Sequence, residues 1–132
     1  MYRRDLILAE IQKLTQVLAR IMGLKLEGKT IEAEDLFAES LQKDFEMSPE
    51  DFFSNDTEAF KTALLRHTYT AEKLEMLGQF IYEQFRTPAD DIRKQAFAEK
   101  LLVIYQVLES KYHIVNMTNL DRQKNVLQYL NT

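Results

Sequence analysis

Apolar residues recur along the first quarter of the chain at Ile7, Ile11, Leu14, Leu18 and Ile21, alternating steps of four and three, with Leu8 and Met22 widening the stripe. That period predicts a helix from about Arg3 to Leu26 whose stripe faces a core or an interface. Gly23 falls inside the pattern and weakens it slightly, while Gly28 ends it in the left-handed conformation that glycine tolerates. A second helix is predicted from about Thr30 to Phe45, with Thr30 as its cap and Glu32, Glu34 and Asp35 near its positive end. Its inward set is Ala33, Leu36, Phe37, Ser40, Leu41 and Phe45. The small and aromatic residues at 33, 37 and 40 form a line that a neighbouring helix can approach closely, so the two helices read as a hairpin.

Farther along, Ser48-Pro49-Glu50-Asp51 suits a single helical turn that plants Phe52 and Phe53 on the core. Asn55 with Glu58 three residues later resembles a capping box for a short helix ending near His67. Thr68 or Thr70 then opens a longer helix carrying Leu74, Leu77, Gly78, Ile81 and Phe85 on one face. A mid-helix glycine costs about 1 kcal/mol relative to alanine, so Gly78 predicts a close helix crossing. The next helix is predicted from Pro88 to about Tyr112, with Ile92, Ala96, Val103, Ile104, Val107 and Leu108 in its stripe and Leu101, Leu102 and Tyr105 broadening it into the central helix. His113 to Thr118 reads as a connector, after which Thr118 or Asn119 caps a last helix holding Leu120, Val126, Leu127 and Leu130. No strand alternation of useful length occurs. The expected fold is all-α: one domain over residues 1–132, with about five to six helices in antiparallel hairpins.

Gly28, Ala33, Phe37, Ser40 and Leu41 resemble the second helix of a tetratricopeptide repeat. In the preceding helix Val17, Ile21 and Leu24 stand where that family has an aromatic, a small residue and another aromatic, so the hairpin is matched about halfway. Leu74-x-x-Leu77-Gly78-x-x-Ile81 is similar to the first-helix half, although the small residue Ala96 follows several positions late. Together these segments span about a third of the chain. The resemblance implies right-handed stacking of helical hairpins, the alternative being a compact bundle, and a surface for a protein or peptide; it implies no reaction, ligand or cofactor. Leu14 to Leu41 and Asn119-Leu-Asp-Arg-Gln-Lys124 are also similar to a group of small bacterial all-helical proteins with no assigned activity, which supports the fold alone.

Composition changes this reading mainly by exclusion. With 45% hydrophobic and 29% charged residues in 132, the chain has the balance of a folded globule. It has no cysteine, hence no disulfide framework or thiolate metal site, and a cytoplasmic location is expected. The net charge of −4 has the wrong sign for phosphate neutralisation, which disfavours nucleic acid. Met1-Tyr2-Arg3-Arg4-Asp5-Leu6 begins like a signal peptide, but Glu10, Gln12, Lys13 and Gln16 interrupt the apolar core such a leader needs, so it reads as the first turn of a helix. No run approaches the ~20 apolar residues that span a bilayer.

The search for chemistry ends without a carrier. His67 and His113 are the two histidines, and only Glu109, one turn before His113, stands near either in sequence. The bundle di-iron pattern instead places glutamate three residues before histidine, and Glu109 with His113 reads as a solvated pair. Small helical nucleases of toxin systems carry an arginine four to six residues before a histidine, which neither histidine here has. Acids at Glu32-Ala-Glu-Asp35, Glu50-Asp51 and Asp90-Asp91 all fall where helices begin, and capping accounts for them. Tyr69, Tyr82, Tyr105, Tyr112 and Tyr129 suit either a core edge or a groove. No catalytic, cofactor-binding or metal-binding residue is assigned, and the binding surface is left open. The expected function is a non-catalytic module for a protein or peptide partner or for self-association. Its alternatives are a homodimer held through Ile7, Ile11, Leu14, Leu18 and Ile21, and a small-molecule-binding bundle or unrecognised enzyme, which would need a deep apolar pocket.

Overall fold

The computed structural model of the chain describes residues 2–88 and 90–132, without the side chains of Tyr2 and Arg3. Met1, in the predicted opening turn, and Ala89, in the predicted start of the fifth helix, lie outside the described residues. Those residues form seven helices and no strand: α1 (Tyr2–Leu26), α2 (Thr30–Lys43), α3 (Pro49–Ser54), α4 (Thr57–His67), α5 (Ala71–Arg86), α6 (Asp91–Tyr112) and α7 (Met117–Leu130). The all-α expectation holds, with α3 a short helix of its own where a single turn was expected. The chain divides into two compact units, residues 1–51 and 52–132.

In the first unit α1 and α2 form a helical hairpin. Gly28 turns the chain at φ 78°, and the N–H groups of Gly28 and Lys29 donate to the carbonyls of Lys25 and Leu24 at 3.0 and 2.8 Å. Leu14, Leu18 and Ile21 of α1 and Ala33, Phe37, Ser40 and Leu41 of α2 are buried, as the stripes predict. Ser40 Oγ donates to Asp44 Oδ2 at 2.8 Å, and Asp44 also holds Lys13 Nζ at 3.1 Å. In the first turns of α1 Leu6 and Leu8 are exposed and Ile7 and Ile11 half-buried, so the seven-residue stripe is only partly used inside the chain. Thr30 is not the cap of α2: Lys29 holds that position without a side-chain hydrogen bond, and Thr30 is already helical. Leu36 is half-buried, not core.

In the second unit α6 is central as expected, packing against α4, α5 and α7, with its most extensive contact to α5. At Gly78, where a close helix crossing is expected, α5 faces Ile104 of α6. A Cβ there would lie 3.5 Å from Ile104 Cγ2, an ordinary contact with a methyl group and not the backbone approach that would demand glycine. Phe52, Phe60 and Phe97 form an aromatic cluster with centroids 5.6 and 5.9 Å from Phe52, while Phe53, expected beside them in the core, is 39% exposed at its edge.

Three predicted helix starts move by one to three residues, each for a capping reason. Asp56, not Asn55, caps α4 by accepting from Ala59 N at 2.8 Å, and Asp90 caps α6 by accepting from Arg93 N at 2.8 Å. Asn116 caps α7, ahead of the expected Thr118 or Asn119. Thr70 caps α5, whereas Thr68 ends α4 in a left-handed conformation. Ile92, expected in the inward stripe of α6, falls in its first turn and is 84% exposed. Leu120 and Leu127, expected on the inner face of α7, are also exposed.

Candidate functional site

Helix α7 is fastened to the second unit chiefly by polar side chains. Val126 is its one buried residue among those described. At its start Asn116 Oδ1 accepts from Asn119 N at 2.8 Å, and the two asparagine side chains donate to the same oxygen, Glu75 Oε1, at 3.0 and 3.2 Å. One turn on, the Arg122 guanidinium lies 4.7 Å from the Tyr82 ring centroid, and Asn125 Nδ2 donates to the Tyr82 hydroxyl at 3.0 Å. At the far end the Tyr129 ring meets Phe85 edge-on at 5.6 Å, with Lys94 Nζ 4.8 and 5.0 Å from the two centroids. The inward stripe is thus Asn119, Arg122, Val126 and Tyr129, at helical steps of three, four and three. A search for hydrophobic period misses it, because three of its four members are polar or amphipathic.

Two leucines of α7 point elsewhere. Leu120 and Leu127, two turns apart, are 46% and 41% exposed, and with Gln123, Lys124 and Gln128 they line a shallow depression of about 500 Å³. Val115 and Met117, at the start of the helix, are also exposed. On the opposite flank Glu75, Gln79, Asn116, Thr118, Asn119 and Arg122 border a polar cleft of about 280 Å³. Between the two, a pocket of about 20 Å³ is lined by Tyr105 and Glu109 of α6 and by Asn119, Leu120 and Gln123 of α7.

Burial perturbs two titratable groups of the second unit, Tyr105 and Lys100. The Tyr105 hydroxyl is buried without a hydrogen-bond partner, and burial raises its pKa, against a smaller lowering by Arg122, so the phenol stays neutral at ordinary pH. Lys100, 3% exposed, donates from Nζ to the Asn55 carbonyl at 3.2 Å and stands over Phe52 and Phe60 at 5.1 and 5.8 Å. Burial lowers its pKa, partly offset by Glu99 and Asp56. It is an internal tie between α6 and the α3–α4 connector.

The two histidines make different contacts. His67 stacks on Tyr69 at 5.2 Å, and His113 closes α6 in a left-handed conformation, its N–H donating to the Glu109 carbonyl at 3.1 Å. No group of three potential metal-ligating side chains occurs among the described residues. Of the five tyrosines singled out, Tyr82, Tyr105 and Tyr129 gather along α7, whereas the Tyr112 hydroxyl donates to the Tyr69 carbonyl. No known family model matches the chain, and no curated protein or solved structure is significantly similar to it. No helix among the described residues is long and apolar enough to cross a membrane. The geometry of α7 is therefore the ground for a functional reading.

Proposed function

We propose that this chain is a non-catalytic interaction module, built of helical hairpins akin to tetratricopeptide packing, that offers the outward face of α7 to an amphipathic helix of a protein partner. The observation that carries the reading is the exposure of Leu120 and Leu127 on a helix whose inward stripe is mostly polar. Two leucines seven residues apart, flanked by glutamines and a lysine, supply the apolar anchors and neutral rim that helix-in-groove recognition uses. Lys124 favours a partner with an acidic flank.

The test is selection of helical peptides from a displayed amphipathic library on the folded chain, followed by amide chemical-shift mapping. Selected peptides are expected to shift residues 115–128 and to lose at least about tenfold in affinity when Leu120 and Leu127 are both replaced by glutamine, with helix content unchanged. Binders that shift only residues outside α7, or that ignore the double substitution, overturn the reading.

A further inference from the structure

We infer that α7 is a strap that releases from α5 and α6 as one cooperative unit while the rest of the second unit stays folded, and that Glu75 is its latch. The inference is independent of what binds the outward face. α5 buries seven side chains and α6 nine, whereas α7 buries Val126 alone. What holds α7 otherwise is hydrogen bonding from Asn116, Asn119, Asn125 and the Tyr129 hydroxyl, the stacking of Arg122, and the packing of the Tyr129 ring against Phe85 and Lys94. Water can replace nearly all of these polar partners on release, so their net hold is small compared with apolar burial.

Two further details favour opening. The Tyr105 hydroxyl, buried without a partner at the α6–α7 seam, gains water when α7 leaves. The connector is tied to α6 as far as Ile114, whose N–H donates to the Leu108 carbonyl at 2.9 Å, so α6 keeps its end closed while α7 swings from the residues beyond. Glu75 belongs to α5, and one of its oxygens accepts from both asparagines at the base of α7. Both bonds to α7 thus pass through a single atom.

Native-state amide hydrogen exchange on the full chain tests this. Amides of residues 120–130 are expected to exchange together and at least about a hundredfold faster than those in the middle of α5 and α6. Glu75→Ala should speed α7 exchange about tenfold or more without changing α5 or α6. Glu75→Gln, which keeps a carbonyl oxygen at the acceptor position, should recover part of that loss. Exchange of α7 at the rate of α6 means that it opens only by global unfolding and overturns the strap. A Glu75→Ala variant whose α7 exchange is unchanged, or whose three helices all speed up equally, overturns the latch.

Discussion

α5 and α7 belong to the same compact unit and differ by only two residues in length, 16 against 14, yet they are held in opposite ways. α5 encloses Leu74, Leu77, Gly78, Phe80, Ile81 and Phe85 against its surroundings, and its contact with α6 is the largest between any two helices. α7 turns mostly polar groups inward and leaves Leu120 and Leu127 exposed. Burial of an apolar side chain has no alternative partner in water, whereas an asparagine or arginine has many, so the first helix belongs to the scaffold and the second is available for exchange between partners. This asymmetry ties the fold to the proposed function, in which the apolar-packed pair is the platform and α7 the surface.

The strongest challenge to that asymmetry is a matched pair of cavity substitutions. Leu77→Ala in α5, at a fully buried position, should cost about 3 kcal/mol of global stability. Val126→Ala, also at a fully buried position, should cost the globally unfolding core less than half of that, because its loss falls mainly on the docking of α7. Denaturant midpoints of the two variants give the ratio. Equal global costs would place α7 in the same cooperative core as α5.

A smaller effect separates buried from surface polar fasteners. Lys100→Met keeps the aliphatic stem between Phe52 and Phe60 but removes the bond to the Asn55 carbonyl, for an expected loss of about 1–2 kcal/mol at pH 7. Because the folded pKa of Lys100 is lowered, the folded chain gives up this proton before the unfolded chain does. Its titration therefore adds stability as the pH rises through the lowered value, complete above 10.5 and lost as the pH falls, on top of the hydrogen bond's contribution at pH 7. Tyr105 acts in the opposite sense: with its pKa raised above 10.0, its contribution is complete below that pH and declines above it. The difference in stability between parent and Lys100→Met isolates the lysine. That difference should grow as the pH rises toward 10.5, and a flat difference would refute the buried-charge assignment.

Much of the scaffold was legible because burial follows period. The four-three steps through Leu14, Leu18 and Ile21 and the face from Leu74 to Phe85 both mark residues the structure buries. Helix starts were harder. Asn55 and Asp56 can both accept a capping hydrogen bond, and the choice between them depends on backbone geometry that residue type does not fix. The candidate site was least legible. Leu120, Leu127 and Leu130 carry the louder hydrophobic signal, but the face that docks is chosen by partners 40 or so residues away, Glu75 and Tyr82 among them. A polar inward stripe is recognised only once those partners are in place.

The smallest expected effect lies at the joint between the two kinds of helix. His113 closes α6 at φ 55°, a left-handed conformation that costs an ordinary residue about 1–2 kcal/mol, while two hydrogen bonds close the helix end: His113 N to the Glu109 carbonyl, as in an αL ending, and Ile114 N to the Leu108 carbonyl. Glycine adopts that conformation freely but gains entropy in the unfolded chain, which offsets part of the benefit. His113→Gly should therefore stabilise the second unit by about 0.5–1 kcal/mol, read as a rise of about 3 °C in Tm. The gain belongs to the end of α6 and touches none of the bonds that hold α7, so amide exchange in residues 120–130 should keep its parental rate. A slowing of α7 exchange in step with the rise in Tm would show that the joint transmits stability across it and that the two helices open together.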